Sequence, residues 1–293
     1  MRLLAGGAIQ GSPWQWSPHP HADVWIVMLG LIAAYAAALR YLSQGRAPAG
    51  QPPASGKQKV MFGLGMAALW SVSDWPMHDL SEGYLYSAHM VQHIVYTFVA
   101  PPLLLLGIPP WMLRMLLGAP KLMAVMRRLT KPLVALILFN ALVAFTHWSG
   151  VVDASLRSEP LHFSIHLALF SAAMLMWWPV IAPLPELSKL SEPGKILYLF
   201  AQSILPTVPA SFLTFADRPI YEFYATVPRM WGLSALTDQL IAGLIMKIGG
   251  GLLLWSVIAV VFFRWHAKEE SDEIDEVEWD DFEHELTALG MRR

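Results

Sequence analysis

The sequence predicts an all-α, polytopic membrane protein: a seven-transmembrane-helix bundle with its N-terminus outside and its C-terminus in the cytoplasm. Three observations predict it: the composition, a series of long apolar runs, and the one-sided placement of Lys and Arg. Of 293 residues, 55% are hydrophobic and only 14% are charged, and the mean hydropathy is +0.45. A soluble domain carries about 25% charged residues, so an ordinary cytosolic enzyme is excluded. The chain has no cysteine, which removes disulfide scaffolds, thiolate metal sites, CxxC redox chemistry and Cys nucleophiles. Any soft-metal chemistry must come from the 10 His and 15 Met.

The apolar runs lie at 22–42, 59–76, 84–106, 132–149, 160–182, 195–213 and 234–263. Each is close to the roughly 20 residues a helix needs to cross hydrocarbon. Helices are required because lipid offers no partner to an unpaired backbone group. A transmembrane barrel would read instead as alternating segments of about ten residues. The 43–58 connection, rich in Gly, Pro, Ser and Gln, reads as a flexible cytoplasmic loop. Residues 107–131 are amphipathic and basic, which suits the inner membrane surface. Pro101-Pro102 should kink or break span 3, and Pro206 and Pro209 should do the same in span 6. Trp70, Trp75, Trp148, Trp177, Trp178 and Trp231 fall near span ends and read as an interfacial belt. There is no internal repeat, which weighs against an inverted-repeat transporter. The organisation is thus an external segment 1–21, a membrane domain 22–266 and a tail 267–293. No clear cleavable signal precedes the first span. The tail carries 11 Asp/Glu against 3 Lys/Arg and is expected to be solvated and disordered. No basic patch is interleaved with aromatics, so nucleic acid is not an expected partner.

Orientation follows from the positive-inside rule. The 1–2, 3–4 and 5–6 connections and the C-terminal side together hold 15 Lys/Arg. The opposite side holds 4, namely Arg2, Arg157, Arg218 and Arg229. This bias places the C-terminus in the cytoplasm.

With that orientation the histidines gather at one level. His78 closes span 2, His89 and His93 lie in span 3, His147 is near the end of span 4, and His162 and His166 begin span 5. At 1.5 Å per residue, all six fall within about 14 Å of the outer boundary. His89/His93 and His162/His166 have i,i+4 spacing, so each pair shares a helical face. That spacing lets two imidazoles converge on one ion, although a lone membrane histidine more often makes a hydrogen bond between helices. Ionisable groups inside a membrane are costly and mark function. Asp74, Asp79, Asp238 and Gln239 lie at the same level, and Met246 is two turns below Asp238. The expected metal set is His78, His89, His93, His147, His162, His166, Asp79, Asp238 and Met246. In Thr237-Asp238, the carboxylate reads equally well as a helix N-cap.

Imidazole suits Zn, Cu, Fe and Ni, whereas thioether favours Cu(I). A His-rich, Met-accompanied, Cys-free site facing an oxidising compartment fits copper best, ahead of zinc and haem. Axial haem ligands approach from opposite faces, which two i,i+4 pairs do not explain. G-x-G-x-x-G, Walker A, G-x-S-x-G and H-E-x-x-H are all absent.

His89-Met90-Val91-Gln92-His93, followed by Ala100-Pro101-Pro102-Leu103-Leu104-Leu105-Leu106-Gly107, resembles the CtaG family of cytochrome c oxidase (caa3-type) assembly factors. His147-Trp148, His162…His166 before Trp177-Trp178-Pro179, and Asp238-Gln239…Ala242-Gly243…Met246 extend the likeness over about 60–263. The resemblance implies a multi-helix protein of the bacterial inner membrane that aids oxidase maturation by copper delivery, with an oxidase subunit as partner and no enzymatic activity. The copper chaperone that shares the family's name depends on cysteine, so the present chain is not that protein. The acidic tail lies outside the similarity. Two rival readings remain at this stage: a haem- or quinol-linked redox protein, and a cation or proton transporter. The transporter reading predicts polar groups through the inner half of the bundle, where the sequence offers little beyond Ser171 and Ser203.

Overall fold

A computed structural model describes residues 13–288. Residues 1–12 of the expected external segment and 289–293 of the expected tail lie outside the described residues. The described chain is all-helical, 76% helix without strands. Five helices are long and apolar enough to cross a membrane: α1 (Ala22–Leu42), Tyr86–Gly107, Glu159–Ile181, Glu192–Phe215 and Ala235–Ser271. A sixth is added if Pro120–Leu129 and Pro132–Thr146, bent by 77°, count as one. Two expected spans therefore fall short individually. Pro132–Thr146 has only 15 residues, and α2 (Gly56–Ser73) opens on the polar run Lys57-Gln58-Lys59. The start of α2 is fixed by a capping box: Ser55 Oγ accepts from Gln58 N at 3.2 Å, and Gln58 Oε1 accepts from Ser55 N at 2.9 Å. A short α3 (Met77–Gly83) follows, and then α4 (Tyr86–Gly107).

Pro101-Pro102 and Pro206 act as expected, whereas Pro209 sits inside the helix Thr207–Phe215 without breaking it; the freed carbonyls show how the bundle absorbs the breaks. Val95–Val99 in α4 is a π-helical segment directly ahead of Pro101-Pro102. Prolines lack an N–H, so the Thr97 carbonyl loses its helical donor; Trp177 Nε1 donates to it at 2.9 Å. Pro76 likewise leaves the Val72 carbonyl at the end of α2, and Gln92 Nε2 donates to it at 2.8 Å. The helix Glu192–Ile204 stops before Pro206, and Thr207–Phe215 resumes after it.

Three expectations change. Trp177 and Trp178 are buried in the core rather than placed in an interfacial belt; Trp177 supplies the donor that the Thr97 carbonyl needs inside the bundle, and Trp178 packs beside it in the apolar core. The 43–58 connection is pinned rather than free: Trp111 Nε1 donates to the Pro53 carbonyl at 2.7 Å, and Ala54 is buried. The acidic segment is helical rather than irregular, since the final helix runs unbroken from Gly250 to Ala288. No Gly or Pro interrupts 252–289, and Trp265 Nε1 donates to Glu269 Oε1 one turn on at 2.8 Å.

The main core packs Leu105, Phe139, Leu169, Met176, Trp177, Leu199 and Leu254. Close backbone approach of α2 and α4 depends on Gly107, where an added Cβ would collide with the Phe62 backbone. Small residues allow this contact in a lipid-embedded bundle, where apolar burial alone gives no preference for helix over lipid.

Candidate metal centre

The turn from α3 into α4 is held by Asp238. Its carboxylate accepts from Tyr86 N at 2.7 Å and Ser87 N at 3.0 Å, capping α4 from the helix that begins at Ala235. That helix has its own cap, Ser234, which accepts from Thr237 N at 3.0 Å. Both Asp238 oxygens are thereby engaged by backbone, so the structure gives this residue an anchoring place that fixes where His89 and His93 sit.

The two i,i+4 pairs face each other across the α4–Glu159–Ile181 interface. Ring centroids are 4.3 Å apart for His89–His93 and 4.2 Å for His162–His166. Across the interface, His93–His166 is 5.0 Å, His89–His166 is 5.5 Å and His89–His162 is 5.7 Å. Ring nitrogens of His89, His93 and His166 all lie within 4.8 Å of one another. Metal–imidazole bonds of about 2.0–2.1 Å place tetrahedral ligand nitrogens about 3.4 Å apart, so modest ring rotations would close the triad on one ion.

His147 joins from the end of Pro132–Thr146, its ring 5.9 Å from His93. Its Nδ1 lies 2.7 Å from the Val143 carbonyl. That carbonyl can only accept, so Nδ1 carries the proton and Nε2 presents its lone pair. His93, His147 and Met246 line a common cavity of about 40 Å³. Met246 sits in another π-helical segment, Ile245–Gly249; such segments recur at functional sites. Tyr86 and Tyr224 close the site from above: their rings lie 5.9 and 6.3 Å from His89.

The triad is polar yet poorly satisfied. His89 Nδ1, His93 Nε2, His147 Nε2, His162 Nδ1 and His166 Nε2 are buried with no hydrogen-bond partner, while His162 Nε2 faces Glu82 Oε1 at 3.0 Å. Buried polar atoms nearly always find a partner. Several orphans meeting at one point are what a cation site looks like without its ion.

His78 and Asp79 do not join the triad. They lie with His21, which sequence reasoning overlooked. His21 Nδ1 is 3.2 Å from Asp74 Oδ1, its Nε2 is 3.1 Å from Asp79 Oδ1, and its ring stacks edge-on His78 at 4.7 Å. Contact with Asp79 raises His21 to about 9 against the opposing effect of burial, and Asp74 adds to the rise. Asp74 is otherwise occupied, accepting from His21 N at 2.9 Å, Trp25 Nε1 at 2.6 Å and Trp75 N at 2.8 Å. Glu82 was also overlooked. Its Oε1 lies 3.1 Å from His78 Nδ1 and 3.0 Å from His162 Nε2. Burial favours protonated Glu82, but the adjoining His162 and His78 hold it below the usual carboxylate range. Two signals in the sequence could have found these residues. Glu82 is i+4 from His78, and His21 precedes span 1 at the same outer level as the other histidines.

The family described as cytochrome c oxidase caa3 assembly factor matches residues 33–268, most of the chain. Two curated relatives are each 25% identical over 191 residues: Uncharacterized protein Mb0105 of Mycobacterium bovis and Uncharacterized protein MT0111 of Mycobacterium tuberculosis. The aligned region is 59% of this chain but only 27% of either relative, so the chain spans a minor part of their length. No solved structure matches.

Proposed function

Because the chain belongs to the cytochrome c oxidase caa3 assembly factor family, we propose that it binds copper at the His89–His93–His166 centre and hands it to the oxidase during assembly. The ion is cargo and the protein is not a catalyst. The reading places seven spans in the bacterial plasma membrane, with the N-terminus outside. The 15-to-4 distribution of Lys/Arg supports that orientation. In this frame α2 and the bent pair complete the seven.

The observation that carries the proposal is the convergence of buried imidazole nitrogens without partners. Without thiolate, such a site holds copper reversibly, which delivery requires. Met246 beside His93 and His147 adds a thioether, a soft donor suited to Cu(I). The adjoining cavity of about 40 Å³ is far smaller than the 300 Å³ or more of ordinary organic-ligand pockets, which favours an ion over a porphyrin or quinol. Away from the triad, the Asn140, Tyr198 and Gln202 side chains bond one another and backbone, with Asn140 Nδ2 donating to Gln202 Oε1 at 2.6 Å. Those hydrogen bonds do not extend to the triad histidines.

The test is oxidase activity per unit of assembled oxidase at low copper, in strains carrying wild-type protein or His93→Ala/His166→Ala. We expect the variant to be present in the membrane, with copper-depleted, poorly active oxidase that added copper partly rescues. Full activity in the variant would leave a scaffold role and remove delivery.

A further inference from the structure

The triad has three donors, and the imidazole next to it is the one that a carboxylate faces. We propose that Glu82 is a positioning residue of the metal centre: it holds His162 by Nε2 and so aims Nδ1 as a fourth donor to the ion of the His89–His93–His166 triad. The inference rests on the reading of the triad as a metal centre.

His162 lies one turn before His166 on the helix Glu159–Ile181. The two rings are 4.2 Å apart, and the His89 ring across the interface is 5.7 Å away. His162 Nδ1 is buried without a hydrogen-bond partner, and Nε2 is 3.0 Å from Glu82 Oε1. The two nitrogens of an imidazole point to nearly opposite sides of the ring, so a carboxylate on one directs the other away from itself. A carboxylate oxygen accepts, so Nε2 carries the proton and Nδ1 presents its lone pair. Ligating histidines are commonly braced in this way, which fixes the tautomer and raises the basicity of the donor nitrogen. His147 shows the same arrangement, with the Val143 carbonyl in place of the carboxylate. The Glu82 contact is not in line for a hydrogen bond; contacts at functional sites often tighten only when the ligand binds.

The short helix that carries Glu82 is itself fixed to both histidine helices. Ser81 is fully buried, and its Oγ donates to Gln92 Oε1 at 3.1 Å, one residue before His93 on α4. The Tyr224 hydroxyl donates to the Ser81 carbonyl at 2.6 Å. Glu82 follows directly, and its Oε1 also contacts His78 Nδ1 at 3.1 Å, one turn back on α3. α3 is therefore tied to the His89/His93 helix through Ser81 and to the His162/His166 helix through Glu82, which keeps the two pairs in register. Glu82 also supplies charge. Neutral imidazoles give a buried cation no counter-charge, and an uncompensated buried charge is costly. The Glu82 carboxylate, one imidazole away, offsets it.

The experiment uses full-length protein purified in detergent, with Cu(I) as the probe, competed against a chromophoric chelator. Glu82→Ala should weaken binding about 10–100-fold, the cost of losing a partner outside the ligand shell, and His162→Ala at least as much. The double variant Glu82→Ala/His162→Ala should bind as His162→Ala does, because Glu82 acts through that ring; such non-additivity marks a coupled pair. A merely structural Glu82 would weaken binding whether or not His162 is present. Glu82→Gln, whose amide oxygen still accepts from Nε2, should recover part of the affinity. If Glu82→Ala does not fold, Glu82→Gln takes its place: having lost the charge, it should bind more weakly than wild type and add nothing to His162→Ala. Wild-type affinity in His162→Ala or in the Glu82 variant would overturn the inference, as would losses that multiply in the double variant. Copper absent from wild-type protein, or retained in folded His93→Ala/His166→Ala, would overturn the triad reading instead.

Discussion

The two ends of the same helices are built by opposite rules. At the Trp177 end of α4 and its neighbours, most polar side chains are matched to specific backbone needs: Trp177 serves the carbonyl left by Pro101, and Tyr198 donates to the Met176 carbonyl at 2.8 Å, with Trp178 Nε1 and Asn140 Oδ1 the exceptions. At the histidine end, five imidazoles crowd together, each with a buried ring nitrogen that has no hydrogen-bond partner. Leaving one buried polar group unpaired costs about 1–3 kcal/mol, so a purely structural cluster would be replaced by apolar side chains at no loss. The paired end holds the bundle together; on the proposed reading, the unpaired end is tolerated because it binds a metal ion.

Substitutions should therefore separate cleanly between the ends. The largest effect is expected from His93→Ala/His166→Ala, which removes two of three converging donors. Copper affinity, measured by competition with a chromophoric chelator, should fall at least about 100-fold, by analogy with the 10–100-fold cost of losing even an outer-shell partner. Thermal stability in detergent should change little or rise, since unpaired buried nitrogens disappear. Gly107→Ala should do the reverse. Its Cβ meets the Phe62 backbone, and such overpacking costs about 1–3 kcal/mol; the folded fraction should still bind copper normally. Trp177→Phe should cost a similar amount, about 1–3 kcal/mol, by orphaning the Thr97 carbonyl, again with metal content intact. The smallest effect is expected for Asp238→Ala. As a cap of α4 it should be worth about 0.5–2 kcal/mol. Copper content equal to wild type would assign Asp238 to anchoring, whereas loss of the ion from folded protein would return it to the ligand set.

How much of this was legible in the sequence differs between the ends as well. The pairs His89/His93 and His162/His166 were readable because helical periodicity fixes i,i+4 neighbours on one face, and the charge bias puts both pairs at one level. His21 was hidden because it precedes its span and reaches Asp74 and Asp79 only through tertiary packing. Asp238 was ambiguous because a capping carboxylate and a ligating one look alike in sequence; the helix it caps is 152 positions away. Trp177 read as interfacial because nothing local reveals that Pro101 leaves a carbonyl for it to serve. The helical acidic segment was misjudged on charge alone, although its lack of Gly and Pro permits a helix.

The most direct test of the account is copper K-edge X-ray absorption on the purified, copper-loaded protein beside the His89→Ala/His93→Ala/His166→Ala variant. The account predicts two or more nitrogen scatterers at about 2.0–2.1 Å, the range of imidazole–metal bonds, in the wild-type protein. It predicts their loss in the variant. An unchanged copper environment and content in a folded triple variant would contradict it.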